Sequence, residues 1–96
     1  MRPLYLIAEI YPKPEKADAA RILFETLVEK TLAEAGCLLY DLVLEEGSDH
    51  WLMLEKWESN AAWELHMTSA HVNEANKLAE SLLRRPTKLR FLAGFK

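Results

Sequence analysis

The order in which short apolar runs and amphipathic segments follow one another most restricts how this chain can fold. Strand-like runs, rich in aliphatic and aromatic residues, cover residues 4–11, 37–45, 50–57 and 87–95. Between the first two, apolar residues recur at three- and four-residue steps over residues 15–35, which predicts an amphipathic helix. After the third run we predict a short helix over residues 60–67 and a longer one from Thr68 or Ser69 to about Arg84.

This β-α-β-β-α-β order is typical of the ferredoxin-like α+β fold, in which a four-stranded antiparallel sheet carries its helices on one face. The predicted boundaries agree with it. Gly36 can end the first helix in a left-handed conformation, Ser59 can cap the short helix, and the sequence EGSD can close a hairpin. The chain is therefore predicted to form one domain over residues 1–96.

Composition and charge exclude several classes of function. The net charge is −3 and acidic and basic residues are interleaved, so no basic patch indicates nucleic-acid binding. The longest apolar run is interrupted by Asp41 and is too short to span a bilayer. We predict no signal peptide, because the first residues lack a long apolar segment, and the single Cys37 cannot form an internal disulfide. These features predict a cytoplasmic location without a membrane partner.

Alternation along the strands divides the predicted sheet into an apolar face and a mixed face. The apolar face, expected under the helices, contains Leu4, Leu6, Ala8, Ile10, Leu38, Tyr40, Leu42, Leu44, Leu52, Leu54, Leu89, Phe91, Ala93 and Phe95. The mixed face contains Tyr5, Ile7, Tyr11, Leu39, Val43, Trp51, Met53, Trp57 and Leu92 among Glu9, Asp41, Glu55, Lys88 and Arg90. Since a monomer would expose this apolar surface to water, we predict a homodimer joined through the mixed face, with charges paired across strands or subunits.

The stretch WESNAAWELHMTSAH, residues 57–71, concentrates side chains with chemical potential. Helical spacing puts Ala62, Trp63 and His66 on adjacent parts of one face, and His71 begins the next helix at the edge of its apolar stripe. Facing an apolar sheet, these groups would form a dry cleft with a few polar groups, as in small-molecule sites. Packing roles for His66 and Trp63, and a capping role for His71, are the alternatives.

The segments AEIYPKPEK, EAGCLLYDLVLE, LEKWES and AAWELHMTSAH resemble the antibiotic biosynthesis monooxygenase family, and especially its small quinol-monooxygenase-like members. The resemblance extends over about residues 4–93. Its most specific parts are Gly36-Cys37 with Tyr40, Glu55-Lys56-Trp57, and Ala62 with His66, Ser69 and His71. It implies a ferredoxin-like homodimer of the dimeric α/β barrel type, in which the C-terminal strand reaches toward the partner.

The resemblance also implies a chemistry, the oxygenation of a phenolic or quinol-type aromatic small molecule with O₂ and without metal, flavin or haem. Such a reaction needs a base of near-neutral pKa, aromatic walls and exclusion of water. His66 is the candidate catalytic base, since histidine titrates in that range. Candidate substrate-binding residues are Ile10, Tyr40, Trp63 and His71. A core role for the Tyr40 ring is the alternative to hydrogen bonding with a quinone oxygen.

The sequence also bears on three other functions. Haem-degrading relatives use an asparagine, a tryptophan and a histidine where this chain has Ile10, His66 and Asn76, so haem degradation is not predicted. A non-catalytic dimeric binding or regulatory module would have the same fold. A metal site built from His66, His71 and a carboxylate lacks the i, i+4 histidine spacing that a site on one helix favours, so no metal is predicted.

Overall fold

The computed structural model describes residues 2–95 and has the predicted element order. The elements are β1 (Leu4–Ile10), α1 (Ala17–Leu32), β2 (Cys37–Leu44), β3 (Trp51–Trp57), α2 (Asn60–Met67), α3 (Ala70–Ala79) and β4 (Lys88–Ala93), with a single 3-10 turn at Pro14–Lys16. The strand order is β2-β3-β1-β4, and every neighbouring pair is antiparallel. The ferredoxin-like α+β fold is thereby confirmed.

Gly36 ends the turn after α1 and allows it to approach α2 closely. Its φ is +91°, in the region that L side chains rarely adopt, and a Cβ atom there would lie 2.8 Å from the Cβ of Ala62. Glycine is therefore required both by the backbone conformation and by the space available. The close approach brings the turn that follows α1, including Glu34, next to α2.

A serine caps each helix of the second helical region: Ser59 precedes α2 and Ser69 precedes α3. The Ser59 hydroxyl accepts a hydrogen bond from the Ala62 backbone N–H at 3.2 Å. The Ser69 hydroxyl donates to the His66 carbonyl at 2.7 Å and accepts from the Val72 N–H at 3.3 Å. Because Ser69 ties the last turn of α2 to the first turn of α3, the helix break holds His66 close to the start of α3.

The third helix ends earlier than predicted, at Ala79 and not near Arg84. The chain beyond it leaves the helix and pairs with the segment that follows β1. The Lys13 N–H donates to the Leu82 carbonyl and the Arg84 N–H donates to the Tyr11 carbonyl, both at 2.9 Å. These partners satisfy backbone groups that would otherwise belong to a last helical turn.

The prediction for β3 was wrong, because its two faces are exchanged. Leu6 pairs with Glu55, and Ala8 with Met53, so the odd-numbered residues of β3 lie under the helices. Met53, Glu55 and Trp57 are only 1%, 6% and 0% exposed. Leu52 and Leu54, expected in the core, lie on the opposite side of the sheet.

The side of the sheet away from the helices, here called the outer face, is nevertheless largely apolar. It carries Tyr5, Ile7, Leu39, Val43, Leu52, Leu54 and Leu92, as the strand registers show. Glu9 and Arg90 form an ion pair at 2.9 Å across it, which confirms that charges on this face pair between strands. The Lys56 ammonium lies 5.3 Å from the centre of the Tyr5 ring.

A bulge near the start of β2 corrects one further assignment. Cys37 pairs with Trp57 and Leu39 pairs with Lys56, which leaves Leu38 as an extra residue in β2. Leu38, Leu44 and Phe91, all expected under the helices, are more than half exposed. No helix within residues 2–95 has the length and apolar character needed to cross a membrane.

Candidate functional site

A cavity of about 570 Å³ lies between the sheet and the helices. Its walls are mainly apolar and include Ile10 and Met53 from the sheet, Phe24 from α1 and Val72 from α3. Arg84 and Arg85, from the segment after α3, also line it. The volume is that of sites that bind small organic molecules, and such sites likewise combine mainly apolar walls with some polar and charged groups.

Four of the five sequence-predicted site residues line this cavity. Ile10, Tyr40, Trp63 and His66 are brought together there, and the Trp63 ring packs edge-on against Phe91 with 5.2 Å between ring centres. The fifth, His71, lines instead a second groove of about 410 Å³ between α1 and α3. A molecule in the main cavity therefore meets His66 but not His71.

His66 is buried in an aromatic setting on α2, with 3% of its surface exposed. Its ring centre lies 4.6 Å from that of Trp57 and 5.5 Å from that of Tyr40. Its Nδ1 is 2.7 Å from the Glu34 Oε2, so Nδ1–H is the donor when the ring is neutral. The nitrogen left for a molecule in the cavity is then Nε2, which has a free lone pair.

Two opposing effects act on the His66 imidazole. Burial disfavours its charged form and lowers its pKa, and the nearby Glu34 carboxylate partly offsets this. The net result is a pKa below the ordinary histidine value. The neutral ring, which is the form that accepts a proton, is therefore favoured at neutral pH.

Glu34 joins His66 to His71. The same carboxylate oxygen that accepts from His66 lies 2.7 Å from the His71 Nε2. The Glu34 and His71 side chains are partly exposed, whereas the His66 side chain is not. Glu34 thus orients the His66 ring through its Nδ1, and His71 in turn orients the Glu34 carboxylate. Glu34 was not singled out from the sequence, because it lies 32 residues from His66 and no local spacing links them.

Glu34, His66 and His71 are also the three described residues with the donor types and proximity of a metal site. Their potential ligand atoms lie within 4.8 Å of one another. The histidines belong to different helices and the carboxylate comes from the turn after α1, so the spacing rule for histidines on one helix does not apply. The 2.7 Å N–O separations fit hydrogen bonds, whereas ligands about 2.0–2.1 Å from a tetrahedral zinc ion would be about 3.3 Å apart. In this structure the three side chains form a hydrogen-bonded network.

Glu55 was predicted on the mixed face of the sheet but lies on the helix face. It lies in the centre of β3, lines the cavity and accepts a hydrogen bond from the Trp57 indole N–H at 3.0 Å. Burial raises the pKa of its carboxyl to about 7, against the smaller opposing effect of the Trp57 hydrogen bond. The neighbouring Lys56 could have indicated this, because the predicted arrangement would have buried Lys56 among aliphatic side chains.

Tyr40 and Cys37 remain neutral in this environment. Burial, the largest cause, raises the pKa of the Tyr40 phenol, so its hydroxyl keeps its proton at physiological pH. Burial likewise raises the pKa of Cys37 to about 11, which keeps the thiol protonated and poorly nucleophilic. Cys37 belongs to the side chains that pack around the core.

The sheet order and the single layer of helices define a ferredoxin-like protein with a cavity of small-molecule size between the sheet and the helices. A family model described as antibiotic biosynthesis monooxygenase matches residues 3–78, and the chain belongs to that family.

Relatives match over most of their length. Rv0793 of Mycobacterium tuberculosis, whose name carries a provisional monooxygenase assignment, is 31% identical over 91 residues, which cover 95% of this chain and 90% of that protein. Its solved structure superposes with a TM-score of 0.92 over 98% of this chain and 96% of that one. PA3566 of Pseudomonas aeruginosa is 34% identical, with a TM-score of 0.91 and coverage of 100% and 97%. YcnE of Bacillus subtilis, also named provisionally as a monooxygenase, is 34% identical over 84 residues, with coverage of 86% and 88%.

Proposed function

We propose that this protein is a cofactor-independent monooxygenase that oxygenates a phenolic or quinol-type aromatic molecule with O₂. The observation that carries the proposal is a buried imidazole, His66, held by Glu34 at the wall of a largely apolar cavity of about 570 Å³. The family supports an oxygenation reaction, and the names of Rv0793 and YcnE point to the same reaction class.

In this reaction the substrate itself is the reductant. The His66 Nε2 removes the phenolic proton, and the resulting electron-rich anion reacts with O₂. Ile10 and Trp63 would contact the flat faces of the ring, and the Tyr40 hydroxyl would donate to a substrate oxygen. His71 would act through Glu34 as a positioning residue. The surrounding apolar walls exclude water from the reactive anion.

The test is a panel of phenols and quinols with dissolved-oxygen consumption and product formation measured together. His66→Ala should lower turnover by roughly 10²–10⁴-fold, the usual contribution of a general base. The matched control is His50→Ala, because His50 lies beside the hairpin turn and lines neither the cavity nor the second groove. An active but thermally destabilised His66→Ala protein would assign His66 a packing role. Ligand binding without oxygen consumption would indicate a binding or regulatory module.

Metal and haem independence belong to the same proposal. Turnover should survive dialysis against a chelator, and haem should not bind stoichiometrically, because the positions that haem-degrading relatives use hold Ile10, His66 and Asn76. Loss of activity that only a divalent cation restores would contradict the cofactor-free mechanism. A shifted Soret band with release of iron on reduction would do the same for haem.

We further propose that two copies associate through the outer face. Leu52 and Leu54 lie at its centre, flanked by Ile7, and Leu39 and Leu92 there are each more than 40% exposed in the single chain. Such a surface is typical of a subunit interface. The interface differs from the one expected first, since Met53 and Trp57 belong to the core. A cytoplasmic location remains a prediction from the sequence.

A further inference from the structure

Glu55 is a polar group of the cavity that the base-catalysed step does not use. Its carboxyl is buried at the centre of β3, and the Trp57 indole N–H is bonded to one of its oxygens, Oε1. None of the ion pairs among residues 2–95 involves Glu55. A buried carboxylate without a cation is costly, whereas the protonated acid is not. The fold therefore favours a neutral carboxylic acid beside the cavity.

Glu55 and His66 share the same two aromatic neighbours. Trp57 donates to Glu55 and packs its ring against His66, while Tyr40 is the strand partner of Glu55 and lies edge-on to His66. Both groups line the same cavity, so a bound ring can touch both. Burial lowers the pKa of His66 and raises that of Glu55. These shifts favour a neutral carboxyl and a neutral imidazole, so one group can donate a proton while the other accepts one.

We infer, on the basis of the monooxygenase function proposed above, that Glu55 is a second catalytic residue, the general acid that protonates the departing oxygen atom when the O–O bond breaks. The substrate class is then a phenol whose opposite ring carbon carries a hydrogen. Such a phenol and one O₂ give one quinone and one water, with four electrons passing from the ring to oxygen.

Each proton in the reaction has a defined carrier. His66 takes the phenolic proton, the ring carbon forms a bond to O₂, and the imidazolium returns its proton to the outer oxygen, which gives a hydroperoxide. His66 then removes the hydrogen on that carbon, and the electrons of the C–H bond form the new carbonyl. The O–O bond breaks, and the outer oxygen leaves as water with the Glu55 proton. Proton transfer from His66 to Glu55 restores both groups.

The experiment compares Glu55→Gln with His66→Ala in single-turnover reactions followed by rapid-mixing absorbance. Glutamine has the size of glutamate and can still accept from Trp57, but it supplies no proton. We expect the phenol signal to decay at nearly the normal rate in Glu55→Gln while quinone appears roughly 10²–10³-fold more slowly. In His66→Ala both signals should be slow. Glu55→Asp should recover part of the second phase, and Glu64→Gln, at an exposed position on α2, should match the wild type.

Other outcomes separate the two proposals. Normal quinone formation in Glu55→Gln would overturn the general-acid role, and so would a higher KM with unchanged kcat, which would make Glu55 a binding contact. A wild-type protein that binds phenols without consuming O₂ would instead overturn the monooxygenase function on which this role rests. If Glu55→Gln does not fold, Glu55→Asp is tested alone, and equal rates of both phases would refute the proposal.

Discussion

Strand β3 sends Met53, Glu55 and Trp57 under the helices and sends Leu52, Leu54 and Lys56 to the outer face. Trp51 lies on the helix face as well. Both faces of β3 are therefore mainly apolar and each carries one charged side chain, so apolar character separates them only weakly. The two faces differ in the surroundings of their charged side chain. Glu55 accepts from the Trp57 indole and becomes neutral on protonation, whereas the Lys56 ammonium stays on the outer face near the Tyr5 ring.

The comparison shows that two polar groups on one strand face can satisfy each other in the core. Burying Trp57 requires an acceptor for its indole N–H, and burying Glu55 requires a donor or a proton. Placed two residues apart, each supplies what the other needs. A buried Lys56 would have had only Leu52 and Leu54 on its own face of β3. The helices therefore cover the face with one aromatic donor and one carboxyl acceptor.

The largest effect should come from removing the indole on the helix face. Trp57 is fully buried against Tyr40 and His66, so Trp57→Ala should lower the free energy of unfolding by about 3–5 kcal/mol. Lys56→Ala, the adjacent residue on the outer face, should change it by less than about 0.5 kcal/mol. Urea unfolding of both variants checks this. Similar losses in the two would mean that the β3 faces are not distinguished by burial.

The second effect concerns pH and the buried carboxyl. The pKa of Glu55 is raised from 4.5 to about 7 in the folded protein. Between these values the folded state holds a proton that the unfolded state has lost, so this group lowers stability as pH rises through the window. Glu55→Gln lacks that cost, so its stability relative to the wild type should increase from pH 4.5 to 7. Above pH 7 the difference should level off, on the order of 3 kcal/mol.

The control for this pH dependence is Glu64→Gln, at an exposed position on α2. Its stability difference from the wild type should be small and flat across the same range. A flat difference for Glu55→Gln as well would show that Glu55 titrates normally. That result would also remove one of the supports for its acid role.

The sequence was sufficient for the element order and for much of the cavity. Ser59 begins α2 as predicted, since a cap acts through local backbone chemistry. Gly36 has the predicted positive φ, but it lies in the turn after α1, which ends at Leu32 and not next to Gly36. Ile10, Tyr40 and His66 reached the cavity because β1, β2 and α2 were assigned the correct faces. Three features depended on distant partners and were missed.

Each of these misses has a structural cause. The end of α3 is set by pairing with the segment after β1. The faces of β3 are set by the Trp57–Glu55 hydrogen bond and by register with β1. The role of Glu34 follows from the contact between Gly36 and Ala62 that brings α1 to α2. None of these contacts follows from periodicity, because periodicity describes one element at a time.

The third effect is on assembly. If the outer face is the dimer interface, Leu54→Asp places a charge on each side of it and should weaken dimerisation by at least about 100-fold in Kd. Met53→Leu, one residue earlier but on the helix face, should leave the mass unchanged. Light scattering over a range of micromolar concentrations measures both. A wild-type monomer, or a Leu54→Asp protein that is still dimeric, would move the interface elsewhere.

The smallest effect should come from changing Glu34, which forms a hydrogen bond with the His66 ring. Glu34→Gln keeps the shape of the side chain but removes the charge that supports proton uptake by His66. Because the Glu34 carboxylate raises the pKa of His66 against the larger effect of burial, its loss should lower that pKa further. The acid limb of kcat/KM should therefore move to lower pH, and kcat should fall about tenfold, since a weaker base transfers the proton more slowly.

Glu29→Gln, at an exposed position on α1, is the control and should change neither the pH profile nor kcat. A lower melting temperature with an unshifted pH profile would instead mean that Glu34 only fastens α1 to the following helices, and that the reactivity of His66 depends on the cavity alone.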